Sequence, residues 1–211
     1  EFKLKTFLDD SVDLINASFA WSVKVFDANV TGASESVCVL DTGVDLHHPD
    51  LKEKVIAQHC FCTTPENANP DCCPDLTGED DNATDNHGHG THVAGIVAAK
   101  GNISGVAINS NIVAVKILNS SGNANNIADL KNAIDWCIND SNINNYNITA
   151  ITMSLGTETL YDYHCDSVPG FSDLKNSIDS AIQKNISVIA ATGNDADSTS
   201  ISSPSCIFNA T

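Results

Sequence analysis

A chain of 211 residues with a formal charge of −17, from 27 acidic side chains against 10 lysines and no arginine, has little with which to neutralise phosphates or read guanine edges, which excludes a nucleic-acid partner. The same acidity repels anionic lipid, and no apolar run approaches the roughly 20 residues of a membrane span, so no membrane insertion is expected. The length suits one domain with a substantial core.

The first residue is not Met and no signal peptide precedes the fold, as expected of a polypeptide that begins after processing. From Ser36 the pattern becomes regular. "SVCVLDTG" is a short β-branched run closed by a turn, as expected of a buried parallel strand. A Pro- and Asn-rich loop from about 58 to 86 follows, holding Cys60, Cys62, Cys72 and Cys73. Their C-x-C and C-C spacings fit the ligand pairs of structural zinc poorly, so disulfides are favoured over a zinc knot and the loop reads as a stapled insertion.

"GTHVAGIVAAK" reads as a small-residue buried helix, and "NIVAVKILN" as another buried strand. "NNIADLKNAIDWCIND" is amphipathic, with Ile127, Leu130, Ile134 and Trp136 to Ile138 at helical spacing. "NITAITMSLG" is a strand, "GFSDLKNSIDSAIQKN" a helix and "ISVIAATGN" a strand; the Asn/Ser stretches at 119–126 and 139–147 read as surface connections. Alternating strands and helices specify an α/β doubly wound, mainly parallel sheet with helices on both faces. Functional residues then belong at the carboxyl ends of strands.

Three strands end in polar residues: Asp41, Ser154 and Asn194. A strand-end carboxylate and a histidine in the first turn of a buried helix, His89, make half of a nucleophile-activating system. The carboxylate fixes the imidazole tautomer and stabilises the imidazolium that forms when a serine is deprotonated. An asparagine at another strand end can donate to a developing oxyanion. Each piece has a plainer reading: "DTG" as a strand-to-turn cap, Asn194 as a turn former, and His87, His89 and His92 as a metal cluster. The H-x-H-x-x-H spacing on a glycine loop entering a buried helix suits a metal poorly, and no metal site is assigned. Cys38 and Cys137 fall in a strand and a core helix, either as buried thiols or as a bridge, while Cys165 and Cys206 lie in two loops and favour pairing. Sequons at Asn16, Asn29, Asn82, Asn102, Asn119, Asn139, Asn147, Asn185 and Asn209 exceed the roughly four that this composition gives by chance, and with the cysteines they favour a secreted glycoprotein.

The blocks "VCVLDTGVDLHHPDL", "HGHGTHVAGIVAA", "VAVKILNSSG", "ITMSLG" and "VIAATGND" resemble, in order and spacing, those of the subtilisin-like serine proteases, from about Leu8 to the last residue. The resemblance implies peptide-bond hydrolysis, with Asp41 and His89 as the catalytic aspartate and histidine and Asn194 as the oxyanion-hole asparagine. It implies a structural histidine at His92 and a backbone rail for extended peptide at Ser154, Leu155 and Gly156, facing Gly122 and Asn123. Ala190, Ala191, Thr192 and Gly193 are expected to line the primary specificity pocket. No cofactor is required.

The family's nucleophile block, approximately G-T-S-x-A-x-P, does not occur here. Two expectations follow: a nicked protease whose serine-bearing C-terminal remainder stays associated as a separate segment, which the intact Asp41, His89 and Asn194 favour, or an inactive, glycosylated extracellular structural or binding module. Thr157 replaces a glycine common in relatives and is expected to narrow the pocket entrance. Asp195 is expected to favour polar or basic substrate side chains. Asp50 matches a calcium-ligand position of some relatives, but "AAKGNISGVA" lacks their short calcium-loop insertion, so no calcium is assigned there. The loop carboxylates leave a structural calcium open elsewhere, at no assignable set of residues.

Overall fold

The computed structural model describes residues 12–64 and 72–211; the start of the family-like stretch at Leu8 lies outside the described residues, as does the middle of the stapled insertion. In chain order the elements are helix α1 (Ala17–Ala20), strands β1 (Lys24–Val25), β2 (Ala28–Asn29), β3 (Ser36–Asp41), β4 (Val55–Phe61) and β5 (Glu79–Asp80), helix α2 (His89–Ala98), strand β6 (Asn111–Lys116), helices α3 (Ile127–Ile138) and α4 (Asp140–Tyr146), strands β7 (Ile148–Met153) and β8 (Leu160–Tyr161), helix α5 (Ser172–Gln183), and strands β9 (Ser187–Ala190) and β10 (Ile201–Ser202). A six-stranded sheet runs β5-β4-β6-β3-β7-β9. It is parallel except for β5, which pairs antiparallel with β4.

Both faces of the sheet are covered, which is why β3 and β6 read as continuous apolar runs rather than alternating ones. Cys38 and Leu40 of β3 join Val113 and Val115 of β6 in one core with α3 and α5, through Leu130, Ile134, Leu174 and Ile178. Val39, Ile112 and Ala114 face the other way and pack with Val93, Ala94 and Ala98 of α2. The small residues of α2 let that helix lie close to the sheet. Among the described residues no helix is long and apolar enough to cross a membrane.

Four disulfides join Cys38 to Cys137, Cys60 to Cys73, Cys62 to Cys72 and Cys165 to Cys206. The first ties β3 to α3. The second and third make a double staple across the insertion, and Thr63 N–H and Oγ1 both donate to Asp129 Oδ2, fastening the insertion to α3.

Two expectations from sequence need correction. The insertion does not start at Gln58, because Gln58 to Phe61 belong to β4, paired with β6; the cysteine- and proline-rich composition downstream masked a strand whose first half is only partly buried. Residues 139–147 are not a plain connection, since α4 occupies most of them. Asn139 caps it by accepting from Asn142 N–H at 2.8 Å, Asn147 ends it in the left-handed region at φ 49°, and Ile143 and Tyr146 pack against the core. Capping thus forms a helix that composition alone disfavours.

The chain leaves β6 on one side of β3 and re-enters the sheet at β7 on the other. That reversal opens a crevice at the carboxyl ends of β3, β6 and β7.

Candidate active site

Asp41 ends β3 and is fully buried. Its Oδ1 accepts the Thr42 N–H at 2.7 Å and the His89 Nδ1–H at 2.7 Å, while among the described residues Oδ2 has no hydrogen-bond partner. His89 opens α2 after Gly88, whose φ of 102° places the helix start, and its side chain is 43% exposed. With Nδ1 donating to a carboxylate, the imidazole carries its lone pair on Nε2. The arrangement is a half-exposed base oriented by a buried acid.

The loop entering α2 is held by Asp85. Its Oδ1 accepts from Thr42 Oγ1, His87 N–H and Gly88 N–H, each at 2.9 Å, and its Oδ2 accepts from Thr91 N–H at 3.0 Å and Thr91 Oγ1 at 2.5 Å. Burial works against ionisation of this carboxyl, but the bonds from Gly88, Thr91 and His87 outweigh it and hold its pKa below the ordinary aspartate value. Thr42 is the hinge of the network, since its Oγ1 also accepts the Gly90 N–H at 2.9 Å.

A cleft of about 790 Å³ opens beside His89. One wall is Ser154 to Glu158, leaving β7; the other is Ser121 to Ile127, leading into α3. The predicted rail residues Ser154, Leu155, Gly156, Gly122 and Asn123 are therefore brought to opposite walls of one groove, and Thr157 lines it too. Asn119 braces the second wall by accepting from Ser121 N–H at 2.9 Å and Asn123 N–H at 3.1 Å, with Gly122 at φ 77°.

The segment expected to line the primary specificity pocket runs beside the end of β7 and against Ser202, which also neighbours Gly156. Ala190 is buried at the end of β9, Ala191 N–H donates to Met153 O at 3.1 Å, and Thr192 O accepts from Ser202 N–H at 2.9 Å. Ala191 to Asp195, Asn194 among them, are exposed and stand outside the lining of the 790 Å³ cleft. Ser203 and Pro204 do line it, a placement that sequence reasoning missed. The available signal was Cys206, whose bridge to Cys165 anchors that segment.

Among the described residues no group of three or more His, Cys, Asp or Glu side chains is arranged to hold a metal. His87 and His89 lie with ring centroids 6.3 Å apart, and His87 Nδ1 accepts the His89 N–H at 3.3 Å. Asp50 is buried with Oδ1 accepting Asn102 N–H at 2.9 Å and Oδ2 accepting Ile103 N–H at 3.4 Å.

A family model described as the subtilase family matches residues 32–211. The chain is 31% identical over 193 residues to the major intracellular serine protease of Bacillus subtilis (strain 168), covering 90% of this chain and 50% of that protein. It is 35% identical over 175 residues to subtilisin of Bacillus pumilus, covering 82% and 52%. The solved structure of sphericase is similar with a TM-score of 0.68 at 28% identity, over 92% of this chain and 57% of that one. The chain spans about half the length of these curated relatives.

Proposed function

Since this chain belongs to the subtilase family of serine proteases, we propose that it is the aspartate- and histidine-bearing part of a secreted serine endopeptidase. The observation that carries the reading is the 2.7 Å bond from His89 Nδ1 to buried Asp41, which leaves Nε2 as the base at the mouth of a peptide-sized cleft. A serine hydroxyl supplied by a further segment or a second chain loses its proton to His89 as it attacks the scissile carbonyl. Asp41 stabilises the resulting imidazolium, and the Asn194 side-chain amide stabilises the oxyanion. His89 then protonates the leaving amine, and water resolves the acyl-enzyme by the same route. Ser154 to Gly156 and Gly122 to Asn123 hold the substrate extended by strand addition.

Two features support a complementing segment: Asp41, His89 and Asn194 are all present, and Ile189 of β9, at the edge of the six-stranded sheet, is 44% exposed. Secretion is supported by the four disulfides and the sequons; family membership does not decide it, because one relative is named an intracellular protease.

The test is a fluorophosphonate serine probe applied to natively purified material, followed by denaturing separation and intact mass before and after glycosidase. A label on a co-purifying segment that carries a G-T-S block, with a glycan mass on this chain, is the expected result. No label on any polypeptide overturns the protease reading in favour of an inactive binding module.

A further inference from the structure

Beneath the Asp41–His89 pair lies a lysine that is sealed from solvent. Lys116, the last residue of β6, is 0% exposed. Its Nζ donates to Thr42 O at 2.7 Å, Leu118 O at 2.8 Å and Asn86 Oδ1 at 3.0 Å. An ammonium has three donors and no acceptor, so its hydrogen-bonding capacity is fully used.

The three acceptors belong to three separate segments of the site. Thr42 follows Asp41, Asn86 lies in the loop that delivers His89, and Leu118 leads into the Ser121–Ile127 wall of the cleft. An apolar side chain of similar size fills such a space without the desolvation that a buried cation suffers, so the charge itself calls for a role. Asp41 offers one. It is a buried carboxylate with one oxygen lacking a partner among the described residues, and it stands beside Lys116 as its partner in the β3–β6 ladder.

We propose that Lys116 is a positioning residue for the Asp41–His89 pair, its ammonium pinning the three segments of the site so that the 2.7 Å bond between the two side chains is held in place. Burial pushes the ammonium below the ordinary lysine value, and attraction from Asp85 and then Asp41 pulls it back.

The inference rests on the protease reading, so it is measured first without turnover. The downfield proton of the hydrogen bond from His89 Nδ1 to Asp41 is followed by NMR in the parent chain, Lys116→Met and Lys116→Arg, with His89→Gln identifying the signal. Lys116→Met is expected to lose that signal or exchange it with water at least tenfold faster, and Lys116→Arg to retain it. If Lys116→Met does not fold, the Nζ resonance of ¹⁵N-lysine-labelled parent gives the answer, as the slowly exchanging ammonium expected of a group held on three acceptors. In the complemented protease, Lys116→Met is expected to lower kcat more than tenfold and leave KM within about threefold. An unchanged downfield proton in folded Lys116→Met, or a freely exchanging Nζ, overturns the proposal. A lost proton in Lys116→Met, in material whose parent never cleaves peptide, upholds it and defeats the protease reading instead.

Discussion

Gly90, in the first turn of α2, packs so tightly on Gly43 that a Cβ at Gly90 would stand 2.1 Å from the Gly43 carbonyl oxygen and 3.0 Å from Asp41 Cβ. That close approach is what allows a residue at the start of a helix to reach a carboxylate at the end of a strand. The obstacle is backbone, so no rotamer change relieves it. Gly90→Ala is expected to push α2 off the strand end, lower the urea midpoint by an amount equivalent to about 1–3 kcal/mol, and remove the downfield NMR proton of the His89–Asp41 hydrogen bond. A variant that keeps both the midpoint and that proton would show the contact to be yielding rather than rigid.

Asp85 makes the stability of the site depend on acid. Its folded pKa is lowered from 3.8, so the unfolded chain binds the proton first on descending pH. The stabilisation is therefore fully present above the unfolded value and is lost as pH falls through the lower folded value. Asp85→Asn keeps the shape but weakens the bonds to Gly88, Thr91 and His87, and is expected to cost about 1–3 kcal/mol at pH 7. Urea unfolding of parent and variant at pH 7, 4 and 2.5 checks it: the gap closes as the pH drops, and a constant gap would remove the carboxylate's charge from the explanation.

Much of this was legible because short-range chemistry and tertiary placement agree. Asp41 and His89 were readable from "DTG" and "GHGTHVAG" since each motif carries its own backbone requirement, a turn after a buried strand and a glycine-flanked helix start. The rail residues Gly122, Asn123 and Ser154 to Gly156 come from the resemblance to the protease family, with Ser154 alone also marked as a polar strand end. Lys116 was not singled out, because a lysine in "NIVAVKILN" looks like a strand-end charge and nothing local announces three buried acceptors. Ser203 and Pro204 were missed for a related reason: their place at the cleft depends on pairing between β8 and β10 and on the Cys165–Cys206 bridge, contacts between segments about 40 residues apart. β4 was missed where composition and position conflict, and α4 where asparagine caps override a weak propensity.

The Cys165–Cys206 bridge closes a separation of 41 residues and sits beside a backbone bond from Cys165 N–H to Cys206 O at 3.0 Å. It holds the strip that presents Ser203 and Pro204 to the cleft. Replacing both cysteines by alanine is expected to lower stability by about 2–4 kcal/mol and to weaken binding of an extended peptide several-fold by fluorescence anisotropy, with the Cys38–Cys137 bridge intact by mass. Peptide affinity unchanged in the double variant would assign the bridge to stability alone.

Asp41 and His89 are expected to act as one unit, and the complemented protease offers the means to measure it. In Asp41→Asn the amide no longer stabilises an imidazolium and can present an N–H to Nδ1, which favours the tautomer with its proton on the wrong nitrogen; kcat is expected to fall about 10⁴-fold. His89→Ala removes the base itself and is expected to be at least as slow. Once either member is gone the other has nothing left to do, so the double variant is expected to be no slower than the worse single one. The comparison is independent of the identity of the serine-bearing segment, because that segment is common to all four proteins. Losses that multiply in the double variant would mean that the two residues contribute separately, and that the 2.7 Å contact between them holds the fold rather than the chemistry.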